Sequence, residues 1–98
     1  MMFILNTGYE GMSHLILEAM ACGLPVITTN VCGNPEIIQN EQNGLLVEYN
    51  NKEQIKNAIL RLWKDIALRN KFIKNGHRTL EKFKLETMVK ETIKALTI

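Results

Sequence analysis

The chain has 98 residues, of which 46% are hydrophobic, 22% charged and 6% aromatic, and its formal net charge is +2. This length allows one domain at most, or part of one, and the composition is that of an ordinary globular protein. No apolar run reaches about eighteen residues, so the sequence predicts no membrane-spanning helix. The apolar start lacks a basic flank and is too short for a secretion signal.

The charges are distributed unevenly along the chain. The first fifty residues contain five glutamates and no lysine or arginine, whereas all twelve basic residues follow. Such asymmetry is typical of an anionic partner, or of a buried sheet followed by solvated helices, and we favour the second interpretation. A third possibility is that a cluster of basic residues binds an anionic lipid or a nucleic acid. No aromatic platform or nucleic-acid motif accompanies this cluster, so we expect no nucleic-acid partner. These residues are Lys71, Lys74, Arg78 and Lys82.

The cysteines and histidines do not form a metal-binding pattern. Cys22 and Cys32 are ten residues apart and have no neighbouring histidine or second cysteine, so no zinc site is predicted. Two lone thiols without a secretion signal indicate a reducing compartment. His14 and His77 are expected to be helix-surface or core residues.

Three apolar runs, at residues 2–5, 25–29 and 45–49, predict short β-strands. Asn43 and Gly44 predict the turn before the third. Apolar strands without alternation, each followed by a helix, predict a parallel sheet that is buried on both faces. The predicted fold class is therefore α/β: part of a doubly wound, Rossmann-like three-stranded sheet with helices, followed by a helical C-terminal tail. One edge of such a sheet would be open, which is a liability unless something covers it.

Helix signals separate these strands. Residues 13–22 predict a helix with Ser13 as its N-cap and Gly23 just past its end. A second helix is predicted to start with Asn34 as cap and Pro35 in the first helical position.

From residue 51 onward the apolar residues recur at helical spacing. We predict one helix capped by Asn51, a second from about Asp65 with an interruption at Asn75 and Gly76, and a third from about Leu85. The single domain, 1–98, thus consists of a β/α segment, 1–50, and a helical tail, 51–98, packed over it. The predicted apolar positions of the three helices are Ile55, Ile59, Leu62 and Trp63, then Leu68, Phe72, Ile73, Leu80 and Phe83, and finally Leu85, Met88, Val89, Ile93 and Leu96.

The loop at residues 6–13 is the first place to expect a ligand. In parallel sheets ligands bind beyond the carboxyl ends of the strands, often at a helix N-terminus. Gly8 and Gly11 would let a ligand approach the backbone. The backbone amides from Gly11 to His14 could then hold a phosphate or pyrophosphate without any side chain.

Two glutamates next to this loop are candidate binding residues. Glu18 is the only formal charge at residues 14–29, on an otherwise apolar helix. An unpaired buried carboxylate costs roughly several kcal/mol, so Glu18 either binds a partner, such as the two hydroxyls of a ribose, or reaches solvent or a backbone amide. Glu10 could accept hydrogen bonds from sugar hydroxyls or stabilise positive charge at an anomeric carbon, or it could be an exposed loop residue.

The segment EGMSHLILEAMACGLPVIT at residues 10–28 resembles the E-x7-E segment of retaining GT-B glycosyltransferases, the GT4-like group with a "glycosyl transferases group 1" domain. The segments GNPEII at 33–38, NGLLV at 43–47 and KFKLETM at 82–88 are also similar to that family. The resemblance implies the C-terminal, donor-binding part of an enzyme that transfers a sugar from a nucleotide-sugar donor with retained anomeric configuration. The implied acceptor is of the glycan, lipopolysaccharide or capsule type, and no metal or other cofactor is implied.

By this resemblance, Glu10 contacts the donor sugar and is the catalytic residue. The amides of Gly11, Met12 and Ser13 hold the diphosphate, and Glu18 binds the ribose. Two features depart from the family pattern: Asn6 and Thr7 stand where Pro-Ser is usual, and Cys32 stands where glycine is common.

The family's acceptor-binding N-terminal domain, and the earlier half of the donor domain with its phosphate-binding Arg and Lys, have no counterpart in these 98 residues. A diphosphate and the two glutamates bring about four negative charges, whereas a helix N-terminus supplies about half a positive charge. We therefore expect the isolated chain to be inactive and to bind its donor with millimolar or weaker affinity. Its expected partner is the missing domain, in cis or in trans.

An alternative is a non-catalytic interaction module that completes a separately encoded glycosyltransferase half. Its open sheet edge would be the docking surface, and the same edge could form a homo-oligomer. The expected location is the cytoplasm, with peripheral contact to the inner face of the membrane.

Overall fold

A computed structural model describes residues 1–6, 8, 13–31 and 34–96. Within these residues the three strands are parallel and lie side by side in the order β1, β2, β3. The prediction of an α/β fold with a three-stranded parallel sheet and a helical tail is confirmed. The elements, in chain order, are β1 (Phe3–Leu5), α1 (Ser13–Ala21), β2 (Val26–Thr29), α2 (Asn34–Ile37), β3 (Leu45–Val47), α3 (Lys52–Lys64) and α4 (Ile66–Leu96).

Hydrophobic clusters cover both faces of this sheet. On one face, residues of β2 and β3 pack against α3 and the start of α4 in a cluster of Ile27, Leu45, Val47, Ala58, Leu62, Leu68 and Phe72. On the other face, α1 and α2 pack in a cluster of Ile16, Ala19, Met20, Val26, Ile37 and Ile38, which Phe83 of α4 also contacts. Because neighbouring residues of a strand point to opposite faces, Val26 and Ile27 belong to different clusters. Every residue of β2 is buried.

Helix α1 ends at the glycine that the sequence predicted. Gly23 has a φ of +72°, and its N–H donates to the carbonyl of Met20 at 3.1 Å. The N–H of Leu24 donates to the carbonyl of Ala19, also at 3.1 Å. These two bonds are the pattern that closes a helix with a left-handed residue, and glycine adopts that conformation without a steric penalty.

Helix α3 begins at the predicted cap and faces the sheet with a narrower stripe than predicted. Asn51 accepts the N–H of Gln54 with its side-chain oxygen at 3.0 Å. Leu62 is fully buried, but Trp63 is 68% exposed, so its assignment to the core stripe is wrong. Successive residues of a helix are rotated by about 100°, and here the core covers Leu62 and leaves its neighbour Trp63 to solvent.

The prediction of two helices after residue 65, the first interrupted at Asn75 and Gly76, is also wrong. Helix α4 runs without a break from Ile66 to Leu96. Gly76 is buried where α4 crosses α1, and a Cβ atom on it would lie 3.3 Å from Cγ of Met20. Asn75 donates to the carbonyl of Gln42 at 2.6 Å. Both residues therefore serve contacts between elements and do not end the helix.

The tail packs over the sheet only in part. A helix of 31 residues is about 46 Å long, which exceeds what three short strands can cover. Leu85, Met88 and Val89 are exposed, although their spacing predicted a packed stripe. The side chains beyond Val89, including the predicted Ile93 and Leu96, lie outside the described residues. None of the helices in the described ranges is long and apolar enough to cross a membrane.

Asn43, predicted only as a turn residue, is a buried connection between three segments. Its side-chain oxygen accepts the N–H of Gln39 at 2.8 Å, and its amide donates to the carbonyl of Ile37 and the hydroxyl of Thr79, each at 2.9 Å. The turn before β3 is thereby tied to α2 and α4.

An ion pair links the same turn to α3. Nη1 and Nη2 of Arg61 each donate to one carboxylate oxygen of Glu41. This hydrogen bonding is the main reason why the pKa of the Glu41 carboxyl is lowered. Lys71 donates to the backbone carbonyl of Glu41 at 2.9 Å. Both side chains of the pair are about half exposed, so the pair is expected to contribute below about 1 kcal/mol.

Gly44→Ala is expected to destabilise the chain by about 1–3 kcal/mol, because the new methyl group would lie 2.9 Å from the backbone carbonyl oxygen of Val26. Gly76→Ala is the matched control. Its methyl group meets the flexible side chain of Met20, and alanine favours a helix over glycine by about 1 kcal/mol, so we expect little net change. Urea unfolding would measure both, and equal losses would contradict the packing described for Gly44.

Glu41→Gln is expected to lower the free energy of unfolding at neutral pH by less than about 1 kcal/mol, through loss of the pair with Arg61. Since the folded-state pKa of Glu41 lies below its ordinary value of 4.5, the stabilisation is present above that value. It is lost as the pH falls through the lowered pKa, so wild type and variant should converge in acid. Urea unfolding against pH tests this, with Glu81→Gln as the exposed control.

Candidate functional site

The carboxyl ends of the three strands meet at one edge of the sheet. Because the strands are parallel and each βα connection is short, α1, α2 and α3 start toward this same edge. The loop at residues 6–13, where the sequence predicted ligand binding, connects the end of β1 to the start of α1. The end of β1 and the start of α1, which flank this loop, thus lie at the edge where the sequence predicted them.

A pair of asparagines holds the ends of β1 and β3 together at this edge. Asn6 donates from its side-chain amide to the side-chain oxygen of Asn50 at 2.9 Å, and its own oxygen accepts the N–H of Asn50 at 3.0 Å. Asn50 has a φ of +57°, a left-handed conformation that asparagine tolerates better than most residues. Asn6, known from the sequence only as a departure from the family pattern, therefore has a local structural role.

Tyr49 lies beside the start of the candidate loop. A Cβ atom on Gly8 would be 3.1 Å from Cε2 of Tyr49, so the aromatic ring packs directly against the glycine backbone. Half of Tyr49 remains exposed. The sequence placed this residue at the end of the third strand, but β3 ends at Val47, and only the folded chain brings the ring to Gly8.

The structure describes part of the predicted site. Ser13 is the first residue of α1, as the predicted amide cradle requires, although its side chain lies outside the described set. Glu18 lies on the same helix. Glu10, Gly11 and Met12 lie outside the described residues, as do Thr7 and Cys32. Their predicted roles therefore stay predictions.

Glu18 lies on the solvent-exposed side of α1, as His14 and Ala21 do. Its neighbours Ile16, Ala19 and Met20 pack into the core, while Glu18 is exposed. None of the described residues forms a hydrogen bond or ion pair with its carboxylate in the structure. It lies five residues after Ser13, about 7.5 Å along the helix axis. The carboxylate is therefore available to a ligand near the start of α1.

The basic residues that lie close together in sequence do not form a surface of one sign. Lys71 is bonded to the carbonyl of Glu41. Arg78 and Lys82 line a cleft of about 450 Å³ between α2 and α4, and Glu36 and Glu86 line the same cleft. Mixed charge of this kind does not favour a polyanion.

In the described part of the chain, no group of three or more His, Cys, Asp or Glu residues is arranged to hold a metal ion. His14 and His77 are both exposed, so of the two predicted alternatives, helix surface or core, both lie on the helix surface. Cys22 is a free, exposed thiol that follows α1.

Residues 1–79 match the family model described as "Glycosyl transferases group 1". The chain belongs to this family. The resemblance inferred from residues 10–47 is thereby confirmed, and the parallel sheet with its following helices is the fold seen in solved members.

Several relatives support the assignment. A glycosyltransferase of Methanocaldococcus jannaschii is 41% identical over 80 residues, which cover 82% of this chain and 23% of the relative. An Escherichia coli UDP-Gal:alpha-D-GlcNAc-diphosphoundecaprenol alpha-1,3-galactosyltransferase is 37% identical over 87 residues, covering 82% of this chain and 22% of the relative. The chain thus spans about a quarter of the length of these relatives.

A solved structure agrees with the fold. The C-terminal domain of the group 1 glycosyltransferase LpcC of Francisella tularensis is 36% identical, with a TM-score of 0.73, and the match covers 81% of this chain and 42% of that domain.

Proposed function

We propose that this chain forms the donor-binding part of a glycosyltransferase that transfers a sugar from a nucleotide-sugar donor to an acceptor and retains the anomeric configuration. The observation that carries the proposal is Glu18: an exposed carboxylate, unpaired among the described residues, on the outer side of α1, the helix that follows β1 at the carboxyl edge of the sheet. Family membership supports the reaction class.

The proposed division of labour follows the order of groups along α1. The carboxylate of Glu18, with two acceptor oxygens, binds the two adjacent hydroxyls of the nucleotide ribose. The amides of Gly11, Met12 and Ser13 bind the diphosphate at the helix start, where the backbone N–H groups have no partner within the helix. Ser13 and Glu18 are about 7.5 Å apart along the helix axis, so the diphosphate and the ribose would bind at different points along α1.

Glu10 is the proposed catalytic residue. Its carboxylate would contact the donor sugar and stabilise the positive charge that develops at the anomeric carbon as the bond to the diphosphate breaks. The amides that hold the diphosphate would at the same time stabilise the negative charge of the leaving group. We propose that no metal ion takes part, as the family resemblance implies.

Contacts among described residues lie next to the proposed cradle. Tyr49 packs on Gly8, and the paired side chains of Asn6 and Asn50 connect the loops after β1 and β3. These contacts restrict the path of the chain as it leaves β1 toward the proposed binding residues. A fixed loop binds a ligand at a lower entropic cost than one that must be ordered on binding.

The proposed acceptor is a glycan, a lipopolysaccharide or a capsule precursor. Relatives of these types include the Escherichia coli galactosyltransferase, whose acceptor is a diphosphoundecaprenol-linked sugar, and a Rhizobium meliloti glycosyltransferase of lipopolysaccharide core biosynthesis that is 32% identical over 78 residues. A Staphylococcus aureus capsular polysaccharide glycosyltransferase is 35% identical over 79 residues. Since the chain spans about a quarter of the first two relatives named, acceptor binding is assigned to a further domain, in cis or in trans.

A second candidate function is an interaction module that completes a separately encoded half of such an enzyme. It is favoured by the free side of β1, which pairs only with β2 among the described strands, and by the 40% exposure of Ile4. By contrast, two side chains cover the outer side of β3: Asn40 accepts the N–H of Leu46 and Gln54 accepts that of Glu48. The DNA upstream of Met1 distinguishes the two functions, because an in-frame α/β domain indicates one enzyme and a neighbouring gene for that domain indicates a split pair.

In an active enzyme that contains this chain and its acceptor domain, Glu18→Ala is expected to raise the donor KM about tenfold or more, with a smaller effect on kcat, because ribose binding is lost in ground and transition states alike. Glu10→Ala is expected to lower kcat as well, by about a hundredfold or more, because its interaction strengthens in the transition state. Glu36→Ala, an exposed glutamate on α2, is the control. Steady-state kinetics that are unchanged in both variants would refute the assignment.

The isolated chain is expected to bind a nucleotide sugar with millimolar or weaker affinity, because none of its first fifty residues is a cation that could neutralise the diphosphate. Calorimetric titration with UDP-sugars and GDP-sugars would measure this affinity. Micromolar binding of either donor to the chain by itself would contradict the expectation and would show that the site is electrostatically complete.

A further inference from the structure

The outer face of α3 and the start of α4 expose large apolar side chains. Trp63 is 68% exposed, Ile66 64% and Leu60 41%. Single exposed apolar residues are common on protein surfaces, but three within seven positions, one of them a tryptophan, are typical of a binding surface. We call the surface formed by Lys52, Lys56, Leu60, Trp63 and Lys64 the α3 outer face; Ile66, on α4, lines a neighbouring cleft together with Trp63, Met1 and Arg69.

Lysines lie along this apolar surface. At 3.6 residues per turn, Lys52, Lys56 and Trp63 fall on one flank of α3, and Leu60 and Lys64 continue it around the helix. A groove of about 290 Å³ opens along this flank between Lys52, Lys56 and Leu60 and the half-buried Ile55 and Ile59. Apolar side chains and ammonium groups therefore reach the same side of the molecule.

The acidic groups nearby do not neutralise these lysines. Glu53 is exposed on the same flank, and its single negative charge faces three lysines. The carboxylate of Asp65 accepts the N–H of Leu68 at 2.9 Å and serves as the cap of α4. Arg69, which donates to the carbonyls of Leu62 and Trp63 at 3.0 and 2.9 Å, adds a further positive charge close to the end of α3.

We propose that the α3 outer face binds an anionic lipid surface. An interfacial helix combines an apolar face that contains tryptophan or leucine with flanking lysines, and the lysines attract the headgroups of anionic lipids. Tryptophan is enriched at the level of lipid headgroups because its ring is apolar and its N–H is polar.

A second copy of the chain fits this face less well. In a symmetric dimer the same patch meets itself, so Lys52, Lys56 and Lys64 would approach the lysines of the partner copy. Like charges brought together at an interface oppose binding, whereas an anionic surface neutralises all three. The charge of the face therefore favours lipid over self-association. The inference uses none of the residues of the proposed donor site.

Trp63 is the only tryptophan in the chain, so its fluorescence reports on this face alone. We expect its emission to shift to shorter wavelength with vesicles of phosphatidylcholine and phosphatidylglycerol, and to be quenched by brominated lipid chains. Phosphatidylcholine vesicles should give little shift, and salt should weaken the effect by screening. An unchanged emission with anionic vesicles would refute the proposal.

Charge variants locate the binding. Each lysine near an anionic surface contributes about fivefold to membrane affinity, so Lys52→Gln, Lys56→Gln and Lys64→Gln together should weaken vesicle binding on the order of a hundredfold. The matched control removes three exposed lysines from α4 through Lys74→Gln, Lys82→Gln and Lys84→Gln. Equal losses in the two triple variants would show attraction by the whole chain and would overturn the assignment to α3.

An apolar variant and a measurement without lipid complete the test. Leu60→Asn keeps the tryptophan probe and the charges, and it should reduce the shift and the vesicle co-sedimentation several-fold. Circular dichroism would confirm that each variant remains folded. A shift of Trp63 emission that grows with protein concentration in the absence of vesicles, together with a dimer in sedimentation equilibrium, would assign the face to a second copy and refute lipid binding.

Discussion

The fold depends on burying both faces of one central strand. Every residue of β2 is inaccessible to solvent. Val26 and Ile27, two successive residues of this strand, point into different clusters. A strand with no solvated face requires a helix layer on each side. Helices α1 and α2 form one layer and α3 the other, and α4 contributes to both because Phe72 and Phe83 pack in different clusters.

The same constraint prepares the candidate site. With the strands parallel, their carboxyl ends and the starts of the following helices lie at one edge of the sheet. Since α1 packs Ile16, Ala19 and Met20 into the core, Glu18 is left on its outer side. Tyr49 and the paired Asn6 and Asn50 then stabilise the neighbouring loops. The candidate functional groups are thus held by a frame that the core determines.

Apolar surface that this small sheet does not bury remains in three places: the free side of β1, the end of α4 and the α3 outer face. The first continues the sheet and the second extends beyond it, so the acceptor domain that we propose, in cis or in trans, is the expected cover for both. The third differs because lysines accompany its apolar residues, and this combination is what suggests a lipid surface. Exposure by itself does not identify a partner, but exposure combined with charge narrows the choice.

Local patterns in the sequence determined the element order, the parallel sheet, the cap at Asn51, the helix end at Gly23 and the family, since each depends on residues close together in the chain. Tertiary structure decided the rest. Gly76 continues a helix because α1 crosses there, Trp63 is exposed because the sheet covers only one side of α3, and Asn43 connects segments up to 36 residues apart. The contacts of Asn6 with Asn50 and of Gly8 with Tyr49 likewise join residues more than forty positions apart, and no local pattern encodes such a distance.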